Sequence, residues 1–88
     1  MEDLRVVFGR RLRALRRGLG LSQEETAARA HVHVTYLSDL ERGRQTPTLD
    51  VVNRLAKALR TTLAEFFEPL DRPFRSRARR PRRRETTG

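Results

Sequence analysis

The apolar positions between residues 4 and 19 recur mainly at steps of three and four, which is the spacing of one face of an amphipathic helix. Gly18 and Gly20 close this stretch, and a glycine just past a helix can adopt the left-handed conformation that ends it. The pattern therefore predicts a first helix that ends near Gly20. Its inward face is predicted to consist of Leu4, Val7, Phe8, Leu12, Leu15 and Leu19.

A second, shorter helix is predicted directly after the glycines. Ser22 and Glu25 have the spacing of a capping box, in which each side chain satisfies a backbone N–H group that the helix start leaves without a partner. The helix continues to about Ala30 and is rich in alanine, so another helix can approach it closely. Residues 31–33, His-Val-His, then break the helical pattern and are predicted to form a turn.

A third helix is predicted over residues 34–42, with His33 at its cap position. Leu37 and Leu40 are three residues apart and face inward together. The sequence E-R-G-R ends the helix at Gly43. The side chains left on the outward side are those of Val34, Thr35, Ser38, Asp39 and Arg42.

Two further helices complete the predicted domain. Thr48 caps a fourth helix, and Thr62 precedes a short fifth helix that Pro69 ends. No strand pattern is present, so we predict an all-α domain of five helices over residues 1–69. The fourth helix is predicted to bury Leu49, Val52, Leu55, Ala56 and Leu59, and the fifth carries Leu63, Phe66 and Phe67.

Charge changes abruptly at the end of this domain. The sequence has 20 Lys+Arg and 11 Asp+Glu, a formal net charge of +9. Residues 70–88 hold 8 basic and 2 acidic side chains and so supply two thirds of the excess charge. Such a segment repels itself and has little apolar surface to bury, so we predict a disordered Arg/Pro-rich tail. A positive surface of this size attracts nucleic acid or an anionic membrane surface, and charge alone does not choose between them.

Cysteine usage and hydropathy limit the cellular setting. The chain has no cysteine, which rules out disulfides and thiolate metal sites and favours a reducing cytoplasm. No apolar run approaches the roughly 18 residues that cross a bilayer, and the N-terminus lacks a secretory pattern. We therefore expect a cytoplasmic protein that does not enter a membrane.

The second and third predicted helices have the layout of a helix-turn-helix. In such a pair the first helix lies across the phosphate backbone of a duplex, and the second enters the major groove. The groove is about 12 Å wide, which matches one helix with its side chains. This layout therefore favours DNA as the binding partner.

The residues around this turn resemble the Cro/C1-type (Xre-like) helix-turn-helix family of phage and bacterial repressors. The similarity extends from Val7 to Glu68. It rests on L-S-Q-E at the second helix, Ala27 at the helix crossing, E-R-G after the third helix and P-T-L beyond it. The resemblance implies a lambda-repressor-like fold and sequence-specific binding of double-stranded DNA by a small transcriptional regulator.

The resemblance also implies roles for individual positions. Arg16 and Glu41 match a partly buried ion pair that ties the third helix to the first. The family usually has glycine at the position of His31, which implies a positive φ there. The base-reading positions of the family are occupied here by Val34, Thr35, Ser38 and Asp39. Contacts to the DNA backbone are expected from Gln23, Tyr36, Arg42 and Arg44, with His33 as a further candidate.

The aromatic pair at the end of the domain predicts an interface. Adjacent helical positions point about 100° apart, so only one of Phe66 and Phe67 can close the core. An exposed aromatic side chain on a small domain favours association. We predict a homodimer formed through Phe66, Phe67 and Leu70, with a monomer as the alternative.

The remaining polar residues do not predict a chemical site. His31 and His33 are two residues apart, but no third ligand lies nearby in the sequence, so we predict no metal site. Ser22 is engaged as a cap, and so short a chain does not imply a cleft. We expect neither catalysis nor a cofactor or small-molecule ligand.

Two other functions stay open at this point. The same fold can serve as a protein-interaction module, such as an antitoxin or a bridging cofactor with weak DNA affinity. The tail alone can drive nonspecific binding to RNA or to a membrane surface. A stable protein complex without a preferred duplex indicates the first, and loss of all binding on removal of residues 71–88 indicates the second.

Overall fold

The computed structural model describes residues 3–67, which form helices and connecting turns and no strand. Four α-helices and one short 3₁₀ helix follow each other in the predicted order. No helix within this range is long and apolar enough to cross a membrane. The elements are α1 (Leu4–Gly18), α2 (Gln23–Ala30), α3 (Val34–Glu41), α4 (Leu49–Ala58) and the 3₁₀ helix (Ala64–Phe67).

The prediction of a fifth α-helix is wrong, because a single 3₁₀ turn stands in its place. The Phe66 N–H donates to the Leu63 carbonyl (3.2 Å), so the bond spans three residues rather than four. The reason is length: Pro69 disfavours helical backbone at the residue before it, which leaves room for about one turn. Leu70 and the predicted tail over residues 70–88 lie outside the described residues.

Side-chain caps begin three of the α-helices. The predicted capping box of α2 is confirmed, since the Glu25 N–H donates to Ser22 Oγ (3.0 Å) and the Ser22 N–H donates to Glu25 Oε1 (2.8 Å). The bond from the Ser22 backbone N–H is the main cause that lowers the pKa of the Glu25 carboxyl. Thr48 caps α4 as predicted. His33 occupies the N-cap position of α3 but makes no capping hydrogen bond.

The α-helices of the described range all end in the same arrangement. A residue with positive φ follows each helix, and its N–H and the next N–H donate back to carbonyls of the last turn, which is the Schellman motif. The positive φ expected at His31 is confirmed at 60°. The positive φ of Arg60 (57°) has no counterpart in the sequence analysis. The four terminating residues are Gly20, His31, Gly43 and Arg60.

The core lies between the four α-helices and the 3₁₀ helix, with α1 packed on α3 and on the 3₁₀ helix, and α2 packed on α3 and α4. The rings of Phe8 and Phe66 stack with their centroids 4.8 Å apart. Phe66 is fully buried and Phe67 is 48% exposed, which confirms that only one of the two aromatic side chains closes the core. The buried apolar residues are Phe8, Leu12, Ala27, Ala30, Leu37, Leu40, Val51, Val52, Leu55, Ala56, Leu59 and Phe66.

Three leucines predicted to face inward are exposed instead. Leu4 is 68%, Leu19 47% and Leu49 81% exposed. Each lies at a helix end, Leu4 and Leu49 as the first residue and Leu19 as the cap after the last one. Within residues 3–67, no neighbouring helix covers these end positions. In α4 the buried side chain near the start is that of Val51.

Gly9 sets how closely α1 approaches α3. A Cβ atom at this position would overlap the Leu40 carbonyl oxygen and lie 2.6 Å from the Glu41 carbonyl oxygen. Both atoms belong to the backbone of α3, so they cannot move aside as a flexible side chain can. The last turn of α3 is therefore held directly against the backbone of α1.

Thr26 provides a test of the packing around α2. Its side chain is fully buried, and Oγ1 has no hydrogen-bond partner. Thr26→Val removes this hydroxyl at nearly constant shape, so we expect the free energy of unfolding in urea to rise by about 1 kcal/mol. Thr48→Val is the matched control, because the same change there removes a helix cap and should lower stability by about 1 kcal/mol. Equal losses in both variants would contradict the expectation.

Candidate nucleic-acid interface

The two helices of the predicted helix-turn-helix are each eight residues long and are joined by residues 31–33. The Arg54 side chain of α4 fixes this turn, since Nη1 donates to the carbonyl oxygen of His31 (3.0 Å) and more distantly to that of Ala30 (3.4 Å). Its Nε pairs with Asp50 (3.2 Å). A cation is favourable here, because the last carbonyls of α2 lack helical partners. The role of Arg54 is not predicted from the sequence, because the periodicity of α4 does not indicate a contact with a distant turn.

The side chains of α3 divide between the core and the outside. Leu37 and Leu40 are fully buried. The four predicted base-reading residues lie away from these leucines, two of them exposed and two, one turn later, partly buried. Their spacing of i, i+1, i+4 and i+5 forms one continuous stripe two turns long. In chain order they are Val34, Thr35, Ser38 and Asp39.

The side chains predicted to contact the DNA backbone differ in their exposure and in whether they bond to other residues of the domain. Tyr36 is partly buried, and its ring packs against the core. Gln23 donates from Nε2 to Glu41 Oε1 (3.0 Å), so its amide also contributes to the structure of the domain. The exposed members of the set are His33, Arg42 and Arg44.

The ion pair expected between Arg16 and Glu41 is present. Arg16 Nε donates to Glu41 Oε2 (2.6 Å), Nη2 donates to Oε1 (3.1 Å), and Nη1 donates to the Leu21 carbonyl oxygen (2.8 Å). The two side chains are only 11% and 4% exposed. Hydrogen bonding to Glu41 raises the pKa of the Arg16 guanidinium above its usual range, against the opposing effect of burial. The pair fixes the end of α3 relative to α1 and to the turn before α2.

The two histidines of the turn are exposed. Over residues 3–67, no group of three or more His, Cys, Asp or Glu side chains lies close enough together to hold an ion. His31 contributes its backbone conformation and its carbonyl oxygen to the turn. His33 leaves its imidazole free of capping bonds.

A known family model covers almost all of the helices described above. The model, of a helix-turn-helix domain, matches residues 7–66. The match takes in the unit of α2, turn and α3 together with the helices that pack on it. The chain belongs to the helix-turn-helix family of transcriptional regulators. The resemblance to the Cro/C1-type (Xre-like) repressors is thereby confirmed.

Several members of this helix-turn-helix family are similar over most of their length. The chain is 43% identical over 76 residues to the HTH-type transcriptional regulator y4dJ of Sinorhizobium fredii, which covers 85% of this chain and 99% of y4dJ. It is 38% identical over 59 residues to the control protein C.BamHI of Bacillus amyloliquefaciens, covering 66% and 73% of the two chains. The crystal structure of the restriction-modification controller protein C.AhdI from Aeromonas hydrophila matches with a TM-score of 0.70. That structure is 40% identical, over 72% of this chain and 96% of that one.

The predicted dimer residues occupy different positions in this helix-turn-helix chain. Phe66 is fully buried against Phe8, so its side chain serves the core. Phe67 is exposed, with its ring centroid 6.1 Å from that of Phe8, and Leu63 beside it is 43% exposed. Leu70 lies outside the described residues. At this end of the described range, the exposed large apolar side chains are those of Leu63 and Phe67.

Proposed function

We propose that this protein is a small bacterial or phage-type transcriptional regulator that binds a specific site on double-stranded DNA, with α3 in the major groove. The observation that carries the proposal is the division of α3 between two buried leucines and an outward stripe of four small polar or apolar side chains. A groove-reading helix presents such an open face to base edges.

The outward stripe offers specific chemistry to base edges. Val34 and the methyl group of Thr35 can contact a thymine methyl, and the Ser38 hydroxyl can donate or accept. Asp39 accepts a hydrogen bond from cytosine N4 and repels phosphate, so it disfavours any pose that places it near the backbone. The stripe holds no arginine or glutamine that can make a bidentate contact to a purine.

Contacts to the phosphate backbone would fix the register of α3 without reading sequence. Gln23 lies at the first position of α2, where unpaired backbone N–H groups and the helix dipole favour an anion. The other proposed contacts are made by Tyr36 within α3, by His33 before it, and by Arg42 and Arg44 after it.

A homodimer would double this interface. We place its contact on the 3₁₀ helix, where Leu63 and Phe67 expose apolar surface, with Leu70 as an extension. Two recognition helices about 34 Å apart would read a near-palindromic site. The arginine-rich residues 70–88 would add nonspecific contacts, each neutralised phosphate increasing the salt slope by about 0.9. The regulator would act in the cytoplasm, with no cofactor.

Selection of bound duplexes from a random pool, at near-physiological salt, tests the proposal. We expect one site to be enriched, and the Thr35→Ala/Ser38→Ala variant to lose about tenfold in preference for that site, since a single hydrogen bond contributes about 0.5 to 1.5 kcal/mol and tenfold corresponds to about 1.4 kcal/mol. Asn53→Ala, on the exposed side of α4, is the control and should retain the same site. Absence of enrichment by the folded wild-type protein would overturn the proposal, and a stable complex with another protein would then favour the interaction-module alternative.

A further inference from the structure

A polar pocket lies where α1, the start of α2 and the end of α3 meet. Its volume is about 160 Å³, and it is lined by Arg13, Arg16, Gln23, Glu41 and Arg42. A cavity needs about 10 to 15 Å³ of such volume to hold one water, so this pocket has room for a tetrahedral oxyanion with part of its hydration. Every lining side chain is polar, and three of the five are arginines.

The hydrogen bonds within the pocket leave it positively charged. The Glu41 carboxylate already accepts from Arg16 and from Gln23. Its negative charge is therefore matched by the buried Arg16 guanidinium. Arg13 and Arg42 make no side-chain hydrogen bond or ion pair with any residue in the range 3–67. Two guanidinium groups that no side chain in this range binds thus border a pocket in which the lining carboxylate, that of Glu41, is neutralised.

This arrangement selects an oxyanion with several acceptor oxygens. Guanidinium groups bind phosphate through paired N–H donors, and such charge-assisted bonds are stronger than neutral ones. The Gln23 amide has a second N–H that its bond to Glu41 does not use. The first turn of α2 adds the positive end of a helix dipole at the same place.

We propose that this pocket holds one backbone phosphate of duplex DNA, with Arg13 of α1 and Arg42 at the end of α3 as its two charged donors. The proposal rests on the proposed function and assigns a DNA contact to α1, where the sequence predicts none. Arg16 and Glu41 also line the pocket, and the bonds between them hold the end of α3 against α1. A phosphate held here links α1 to α3 and sets how deeply α3 sits in the groove.

The test compares Arg13→Ala with Arg17→Ala, which removes the same charge from an exposed position one turn along α1 and outside the pocket. Affinity is measured for a random-sequence duplex and for the selected duplex as a function of salt. We expect Arg13→Ala to weaken both by about tenfold and to reduce the salt slope by about 0.9, because one charged phosphate contact is lost. Arg17→Ala should change affinity by less than about twofold.

Phosphate-by-phosphate substitution locates the contact. Neutral methylphosphonates placed one at a time in the duplex should identify a position where wild-type binding falls about tenfold and Arg13→Ala binding does not fall further. Equal losses of DNA affinity for Arg13→Ala and Arg17→Ala would overturn the pocket proposal even if a specific site is selected. The same holds if the losses caused by Arg13→Ala and by a methylphosphonate add fully at every phosphate position. If no site is selected but Arg13→Ala still lowers the affinity for random duplex tenfold, the pocket proposal is supported and only the proposal of sequence-specific binding is overturned.

A titration with inorganic phosphate separates a DNA phosphate from a free one. The Nε–H resonances of Arg13 and Arg42 are followed by NMR in the full chain. Millimolar or weaker binding is expected, because one isolated phosphate lacks the other contacts of a duplex. Tight binding of inorganic phosphate, with no effect of Arg13→Ala on the duplex, would show that the pocket takes a free phosphate and would overturn its assignment to DNA.

Discussion

Replacing Gly9 by alanine is expected to lower the free energy of unfolding by about 3 kcal/mol or more, the upper range for overpacked cores. The new methyl group would overlap the Leu40 carbonyl oxygen and lie 2.6 Å from the Glu41 carbonyl oxygen. This overlap can be removed only if α1 and α3 move apart as whole helices, which opens the core around Phe8. For a domain of this size the loss corresponds to a fall in Tm of more than about 10 °C.

Gly18→Ala is the matched control for this prediction. Gly18 is the last residue of α1, and nothing lies within 4 Å of the Cβ that alanine would add. Alanine there should leave stability unchanged or raise it by up to about 1 kcal/mol, because it restricts the unfolded chain. Thermal unfolding followed by circular dichroism measures both variants. Similar Tm values for the two would contradict the close approach of α1 and α3.

The Arg16–Glu41 pair predicts a second large effect. Glu41→Leu leaves the Arg16 guanidinium buried with only the Leu21 carbonyl, and Arg16→Met leaves Glu41 with only the Gln23 amide. Each single change should cost about 3 kcal/mol, since an unpaired buried charge is strongly destabilising. The double variant should be more stable than either single one, because no unpaired charge remains. Urea unfolding of the four proteins gives the coupling free energy.

The ion pair of Asp50 with Arg54 on α4 provides the comparison. Its side chains are 75% and 36% exposed, so Asp50→Asn should cost about 1 kcal/mol or less. Strictly additive effects of Arg16→Met and Glu41→Leu, or losses as small as that of Asp50→Asn, would show that the pair does not fix α3.

Spacing and capping residues predicted the α-helices because they depend on neighbouring positions. Ser22 and Glu25 are three residues apart and act on one helix start, so the short-range signal was sufficient. Leu49 shows the limit of the same reasoning, since periodicity assigns a face but does not show where a neighbouring helix stops covering it. The 3₁₀ helix shows another limit, because the available length rather than the residue pattern decided its type.

The contacts that position the candidate interface depend on the three-dimensional path of the chain. Gly9 is required by the backbone of α3, and Arg54 bonds a carbonyl 23 residues away. Arg54 does not differ in type or spacing from the residues around it, and a glycine inside a helical pattern does not by itself show which backbone approaches it. Arg60 adopts positive φ as a helix terminator, although arginine is not a residue that favours this conformation. The Arg16–Glu41 pair was predicted only because the family resemblance supplied a distant partner.

The central claim is that the outward stripe of α3 lies against base pairs, and crosslinking measures this most directly. Duplexes carrying bromodeoxyuridine are irradiated with the full chain, and crosslinked peptides are identified after tryptic digestion, which releases residues 30–42 as one peptide. We predict that this peptide carries the main crosslink, and that excess unlabelled selected duplex removes the signal while random duplex does not. Crosslinks confined to the arginine-rich residues beyond 70 would contradict it.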